Sequence, residues 1–92
     1  GPVGINAYEN ELQVKIYPNP NSGIFQLAIG SSQLAINNKY ELRIYNLLGE
    51  MVQLSTLNSQ LSTLNLSNVS SGVYHLQVQS KAGVVNKKLV IQ

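Results

Sequence analysis

Short runs in which apolar and polar residues alternate recur along this chain, spaced about ten residues apart. A period of two places the apolar side chains on one face of an extended strand. The clearest run covers residues 40–45, where Tyr40, Leu42 and Ile44 share a face. Similar runs predict strands at 12–17, 24–29, 51–57, 61–66, 73–79 and 84–91, whereas residues 31–39 predict a loop or a short edge strand. Seven or eight short strands without a convincing helix predict an all-β fold, a single antiparallel β-sandwich.

The segments between these runs contain the residue types that tight turns require. Residues 46–49 predict a four-residue hairpin connection with Gly49 in a left-handed conformation. Residues 54–58 recur in the same order at 61–65, but their Ser, Thr and Asn content disfavours a helix. We interpret them as two short strands around residues 58–60, with a bulge or an irregular start in the second strand.

A segment rich in proline separates the first two predicted strands. Pro18 and Pro20 flank Asn19, and residues 21–23 supply a turn in which Gly23 is expected to have a positive φ. Each proline fixes its own φ and lacks a backbone donor, so the middle of this segment cannot join a sheet ladder. We call residues 18–23 the proline strap and predict a stiff crossing between two strands.

The last two predicted strands carry two further features. Tyr74 begins a strand after a turn cluster, which predicts a buried ring whose hydroxyl returns to nearby backbone. Lys87 and Lys88 interrupt the apolar pattern of the final strand, and one of the two must lie on its inner face. An inward charge is typical of an edge strand that resists pairing.

The chain has 92 residues, enough for one domain. Gly1-Pro2 resembles the remnant of a protease site, and we interpret residues 1–11 as a linker ahead of a domain at 12–92. A net charge of +2 is too weak to predict a nucleic-acid partner, and no apolar run is long enough to predict membrane insertion. Cysteine is absent, so neither disulfides nor thiolate chemistry are expected.

Residues that could carry catalysis are sparse and scattered. His75 is the single histidine, aspartate is absent, and the four glutamates are dispersed. This composition provides neither a nucleophile with an oriented base nor a pair of carboxylates nor a metal-ligand cluster. We therefore expect no enzyme activity, no metal and no cofactor, and we interpret His75 as a solvent-facing strand residue.

Four segments, in this order, carry a family resemblance: residues 17–23, 44–50, 71–74 and 87–91. Together they resemble the type A C-terminal sorting domains of the type IX secretion system of Bacteroidetes, over about residues 12–92. The positions that match the family pattern are Tyr17, Pro18, Asn19, Pro20, Gly23, Gly49, Gly72, Tyr74, Lys87 and Lys88, followed by Leu89 and Val90.

The resemblance implies an immunoglobulin-like sandwich at the C-terminus of a larger secreted protein. Such a domain directs its attached cargo from the periplasm through an outer-membrane translocon to the cell surface or the medium. The implied partners are translocon and shuttle proteins, the cargo, and a sortase-like peptidase that removes the domain; we expect a monomer.

Most of the matching residues also have a purely structural interpretation. The glycines suit turns and Tyr74 suits the core, which leaves the strand with Lys87 and Lys88, and the proline strap, as contact surfaces. A receptor that adds a strand to the final strand is one hypothesis. The alternative function is an accessory module that binds carbohydrate or protein for a larger secreted enzyme.

Overall fold

Seven β-strands make up the fold of the residues that the structure, a computed structural model, describes: 12–30, 39–81 and 83–92. The strands are β1 (Gln13–Tyr17), β2 (Ile24–Gly30), β3 (Tyr40–Tyr45), β4 (Met51–Leu57), β5 (Leu61–Asn65), β6 (Gly72–Ser80) and β7 (Gly83–Ile91). Within these ranges no helix is long and apolar enough to cross a membrane. The predicted all-β class is confirmed, and the strand positions follow the alternating runs closely.

The strands form two antiparallel sheets that pack as a sandwich. The smaller sheet has the order β1-β2-β5, and the larger sheet has the order β4-β3-β6-β7. The strands β1 and β7 are therefore edges, and they lie beside each other on the same side of the sandwich. The antiparallel β-sandwich is confirmed, whereas its immunoglobulin-like topology stays a prediction.

The core lies between the two sheets and is built from the alternate residues of each strand. Its fully buried side chains are Phe25, Leu27, Leu42, Ile44, Leu76, Val78 and Leu89. Burying a side chain of this size contributes about 1.5–3 kcal/mol relative to leaving it exposed. Because β7 contributes to this core, removing that strand removes part of the interior as well as an edge.

The hairpin between β3 and β4 is held by its first residue. The Asn46 side-chain oxygen accepts hydrogen bonds from the backbone N–H groups of Leu48 and Glu50, both at 2.9 Å. Gly49 has φ of +87°, as the four-residue connection predicts. These bonds and the positive φ confirm the predicted hairpin.

The prediction of a bulge or irregular start in β5 is wrong. Its ladder with β2 runs without interruption from Ile24 opposite Asn65 to Ala28 opposite Leu61. Leu66, whose spacing suggested the irregularity, lies just beyond the strand, where its side chain is buried. The register shift that does occur lies in the β3–β4 pair, between Ile44 and Tyr45.

Two predictions fall on residues that the structure does not describe. They concern the linker at 1–11 and most of the segment 31–39, of which only Lys39 is described.

Candidate functional site

The proline strap lies along the outer edge of β7. The Asn21 N–H donates to the Val90 carbonyl at 3.0 Å, and the Asn21 carbonyl accepts from the Gln92 N–H at 2.7 Å. These bonds form a short parallel bridge centred on Ile91. The sequence therefore predicted correctly that the prolines do not join a ladder, but it missed the pairing made by the next residue.

Asn19, between the two prolines, contacts β7 through its side chain. Its Nδ2 donates to the Lys88 carbonyl at 2.9 Å, and its Oδ1 accepts from the Val90 N–H at 3.0 Å. A side-chain amide has the same donor and acceptor types as a peptide group. The two flanking prolines have no backbone N–H to donate to β7. The side-chain amide of Asn19 therefore bonds to the β7 edge in place of a backbone peptide group.

The side chain of Asn21 fixes the shape of the strap. It is 6% exposed, its Oδ1 accepts from the Gly23 N–H at 2.8 Å, and its Nδ2 donates to the Pro18 carbonyl at 2.9 Å. Asn21 thus makes two side-chain bonds within the strap, one backbone bond to β7 and one to Gln92, directly after β7. Sequence reasoning assigned Asn21 only to a turn. Its preference for bonding backbone two residues ahead was visible, but its contact with β7 was not.

Both the backbone conformation at position 23 and the close approach of neighbouring backbone require a glycine there. Its φ is +110°, as predicted, and a Cβ there would lie 2.9 Å from the Ser67 Cα. The Leu66 N–H also donates to the Gly23 carbonyl at 2.6 Å. The strap is therefore held at one end by β7 and at the other by the segment after β5.

The final strand confirms the prediction of an edge with an inward charge. Lys87 lies on the same face as the buried Leu89 but is exposed, and its neighbour Lys88 points to the opposite face. Lys87 escapes burial because a gap separates the edges of β1 and β7. We call this gap, with a volume of about 310 Å³, the β1–β7 slot; its lining comprises Val14, Lys15, Ile16, Tyr17, Asn19, Lys87 and Lys88.

Tyr74 has the structural role that the sequence predicted. Its ring is 7% exposed, and its hydroxyl donates to the Ser70 carbonyl at 2.6 Å. Tyr74 faces Leu89 across the β6–β7 ladder, and Gly72 faces Ile91. Gly49 does not belong to the β6–β7 ladder; it lies in the β3–β4 hairpin.

No catalytic constellation forms around the titratable residues that the structure describes. His75 is exposed, as predicted, and its Nε2 lies 3.0 Å from the Asn86 Oδ1. Glu41 pairs with Arg43 at 2.6 Å, and Glu50 accepts from the Asn46 side chain at 2.9 Å. The same part of the chain holds no group of three or more His, Cys, Asp or Glu residues placed to bind a metal.

The structure thus divides the residues that matched the family pattern into two groups. The larger group lies on β7 or along its edge, and its members are Tyr17, Pro18, Asn19, Pro20, Lys87, Lys88, Leu89 and Val90. Gly23 lies at the other end of the strap, against Leu66 and Ser67. Gly49, Gly72 and Tyr74 belong to the turns and the core. Lys15, which the sequence did not single out, joins the first group because β1 faces β7 across the slot.

A family model described as a secretion system C-terminal sorting domain matches residues 15–92. The chain belongs to this family. A comparison with curated proteins gives no significant match. The family match extends from β1 to the end of β7 and confirms the resemblance seen in the sequence, whereas the predicted domain boundary at residue 12 stays a prediction.

Membership of the sorting-domain family fixes the general role. These are C-terminal sorting signals of type IX secretion in Bacteroidetes, and they imply a cargo at the N-terminal side, contact with the type IX machinery, and export to the cell surface or beyond. The family is in general non-catalytic.

Proposed function

We propose that this sorting domain is a non-catalytic signal that takes an attached cargo from the periplasm through the outer-membrane translocon. A sortase-like peptidase then removes it. The family match over residues 15–92 supports this function. The proposal also includes recognition by translocon or shuttle proteins, to which the domain is presented as a folded monomer.

The part of the domain that the machinery recognises, in this proposal, is the strap together with β7. Asn19 and Asn21 make three hydrogen bonds to β7 and a fourth to Gln92, directly after it, so moving either element away breaks these bonds. This coupling is the single observation that carries the assignment. It unites two segments that lie about 70 residues apart in the sequence, at 18–23 and 83–91.

Charge on this surface comes from lysine side chains. Lys87 and Lys88 are exposed, and the part of the chain that the structure describes has a single ion pair, between Arg43 and Glu41. Exposed lysines remote from packing contribute little to stability, within about 0.5 kcal/mol. Changing them therefore tests recognition without unfolding the domain.

The test fuses a reporter ahead of the 92-residue chain in a host that has the type IX system. Lys87→Ala/Lys88→Ala is compared with Lys39→Ala/Lys81→Ala, which changes two exposed lysines at the other end of the sandwich. We expect the first variant to accumulate in the periplasm and the second to reach the surface, with both equally folded by circular dichroism. Equal surface export of both variants would contradict the role given to β7.

Truncation is a poorer test of the same proposal. A chain cut after Val85 loses Leu89 and Ile91, which are 0% and 3% exposed in the core. Its retention would follow from unfolding alone. By contrast, a reporter that is exported equally well without the whole domain would contradict the signal function and favour the accessory binding module.

A further inference from the structure

The strap covers only one half of the free β7 edge. The hydrogen bonds from Asn19 and Asn21 reach Lys88, Val90 and Gln92, all of them alternate residues of the chain. The amide groups of a strand point to its two edges in alternation. The backbone N–H and C=O groups of the alternate residues that precede Lys88 in β7 must therefore also point outward, away from β6.

These preceding residues are Val84 and Asn86. Neither backbone has a hydrogen-bond partner outside its strand among the residues that the structure describes. Together with the Lys88 N–H, they offer five backbone groups along one edge that have no partner in the described part of the chain. Successive outward residues lie about 6.8 Å apart, which is the repeat of a neighbouring extended chain. The open half of β7 is thus a preformed template for one more strand.

Across the β1–β7 slot, the facing edge of β1 also pairs with no other strand among the described residues. The Ile29 N–H points away from β1, toward the Gln60 carbonyl at 2.7 Å. Val14 lies directly opposite Ile29 in the antiparallel β1–β2 ladder. Since Ile29 does not bond to Val14, the two form a non-hydrogen-bonded pair, in which the N–H and C=O of Val14 also point away from the partner strand. They therefore face the slot. Within the ranges 12–30, 39–81 and 83–92, the slot therefore has strand edges without a partner strand on both sides, and Val14 and Ile16 form its apolar wall.

The charge of the slot is uniformly positive. Lys15, Lys87 and Lys88 line it, and none of them forms an ion pair with a carboxylate in the described part of the chain. An anionic ligand in the slot would be attracted by all three lysines. An extended backbone with alternate acidic side chains matches both the amide groups and the lysines.

We propose that an extended acidic peptide segment of the export machinery adds a strand to the open half of β7, beside Val84 and Asn86, and extends into the β1–β7 slot at Lys88. The proposal rests on the proposed function and names the chemistry of the partner. Addition of a strand uses main-chain bonds for affinity and side chains for selection. An anionic lipid or polysaccharide would satisfy the lysines but would leave the five backbone groups unpaired. Asn19 closes one end of the slot and thus limits the length of the added strand.

The test measures fluorescence anisotropy with the purified 92-residue chain and an eight-residue labelled peptide of alternating Glu and Thr. Gln/Thr and Lys/Thr peptides serve as controls. We expect the acidic peptide to bind, its affinity to fall with salt, and each of Lys15→Glu and Lys87→Glu to weaken it by about threefold to tenfold. Lys81→Glu, outside the slot, is the matched control. Equal binding of all three peptides, or equal losses from the Lys81 and Lys87 variants, would overturn the proposal.

Two further measurements test pairing with the backbone. A Glu/Thr peptide N-methylated at alternate residues lacks the donors for β7, and we expect its affinity to fall about tenfold or more. Asn86→Pro removes the central outward N–H while leaving the β6 ladder intact, and Asn86→Ala controls for its side chain. We expect only the proline variant to lose binding. If methylated and unmethylated peptides bound equally, charge attraction alone would explain binding, and strand addition would be overturned. This comparison does not depend on whether the proline variant folds.

Peptide binding and export are separable results. Loss of the peptide interaction with normal export of the reporter would refute the acidic partner and leave the signal function intact. Peptide binding together with export that does not need the domain would refute the signal function instead.

Discussion

Replacing Asn21 with alanine tests how strongly the strap depends on one buried side chain. The change removes the Oδ1 acceptor of the Gly23 N–H and the Nδ2 donor to the Pro18 carbonyl. The Gly23 N–H is buried, so water cannot replace its lost partner. The backbone bonds of Asn21 to Val90 and Gln92 remain available, but the strap that positions them is no longer braced.

The expected cost follows from the burial of these groups. Leaving a buried donor or acceptor without a partner costs about 1–3 kcal/mol, and two such groups give about 2–4 kcal/mol, since the Pro18 carbonyl is only partly buried. Domains of this size have a free energy of unfolding of about 5–14 kcal/mol. The substitution should therefore lower the melting temperature by about 10–30 °C.

Asn19 provides the matched control because it is the same residue type two positions away. Its side chain also makes two hydrogen bonds, to Lys88 and Val90, but they are exposed. Water can replace them, so Asn19→Ala should cost about 0.5–1.5 kcal/mol. The free energies of unfolding come from urea titrations followed by far-ultraviolet circular dichroism. A change within 0.5 kcal/mol for Asn21→Ala, or a larger loss for Asn19→Ala, would refute the reasoning.

Three other substitutions, one of them a control, test the remaining structural assignments by the same urea titration. Gly23→Ala should cost about 2–5 kcal/mol, because its Cβ would lie 2.9 Å from the Ser67 Cα at a φ of +110°. Gly30→Ala, with nothing within 4 Å, should stay within about 0.5 kcal/mol, and equal losses at the two glycines would contradict this account. Tyr74→Phe should cost about 0.5–1.5 kcal/mol by removing the 2.6 Å bond to Ser70, and an unchanged stability would argue against that bond.

Local patterns in the sequence were enough to predict most of the fold. The alternation at 40–45 predicted a strand with Tyr40, Leu42 and Ile44 inward, and all three are buried. Gly49 and Tyr74 were assigned from neighbours within a few residues, and their conformations are as expected. Such features are predictable because the periodicity of a strand and the chemistry of a turn act over short stretches.

The failure in β5 has a tertiary cause. The spacing of Leu61, Leu64 and Leu66 suggested an irregular strand, but β5 is regular and Leu66 lies beyond its end. Which leucine reaches the core depends on the sheet that the strand joins. That choice is made by pairing with β2, which the local repeat does not encode.

By itself the sequence determined the class of fold, the family, the edge character of the last strand and the exclusion of the prolines from a sheet ladder. Each of these depends on residue types at short spacing. Only the tertiary structure decided that the strap is bonded to β7, that Asn21 is its buried brace, and that Lys15 joins Lys87 and Lys88 in one slot. Segments about 70 residues apart meet there, because closing the sandwich brings the edges of β1 and β7 to the same side.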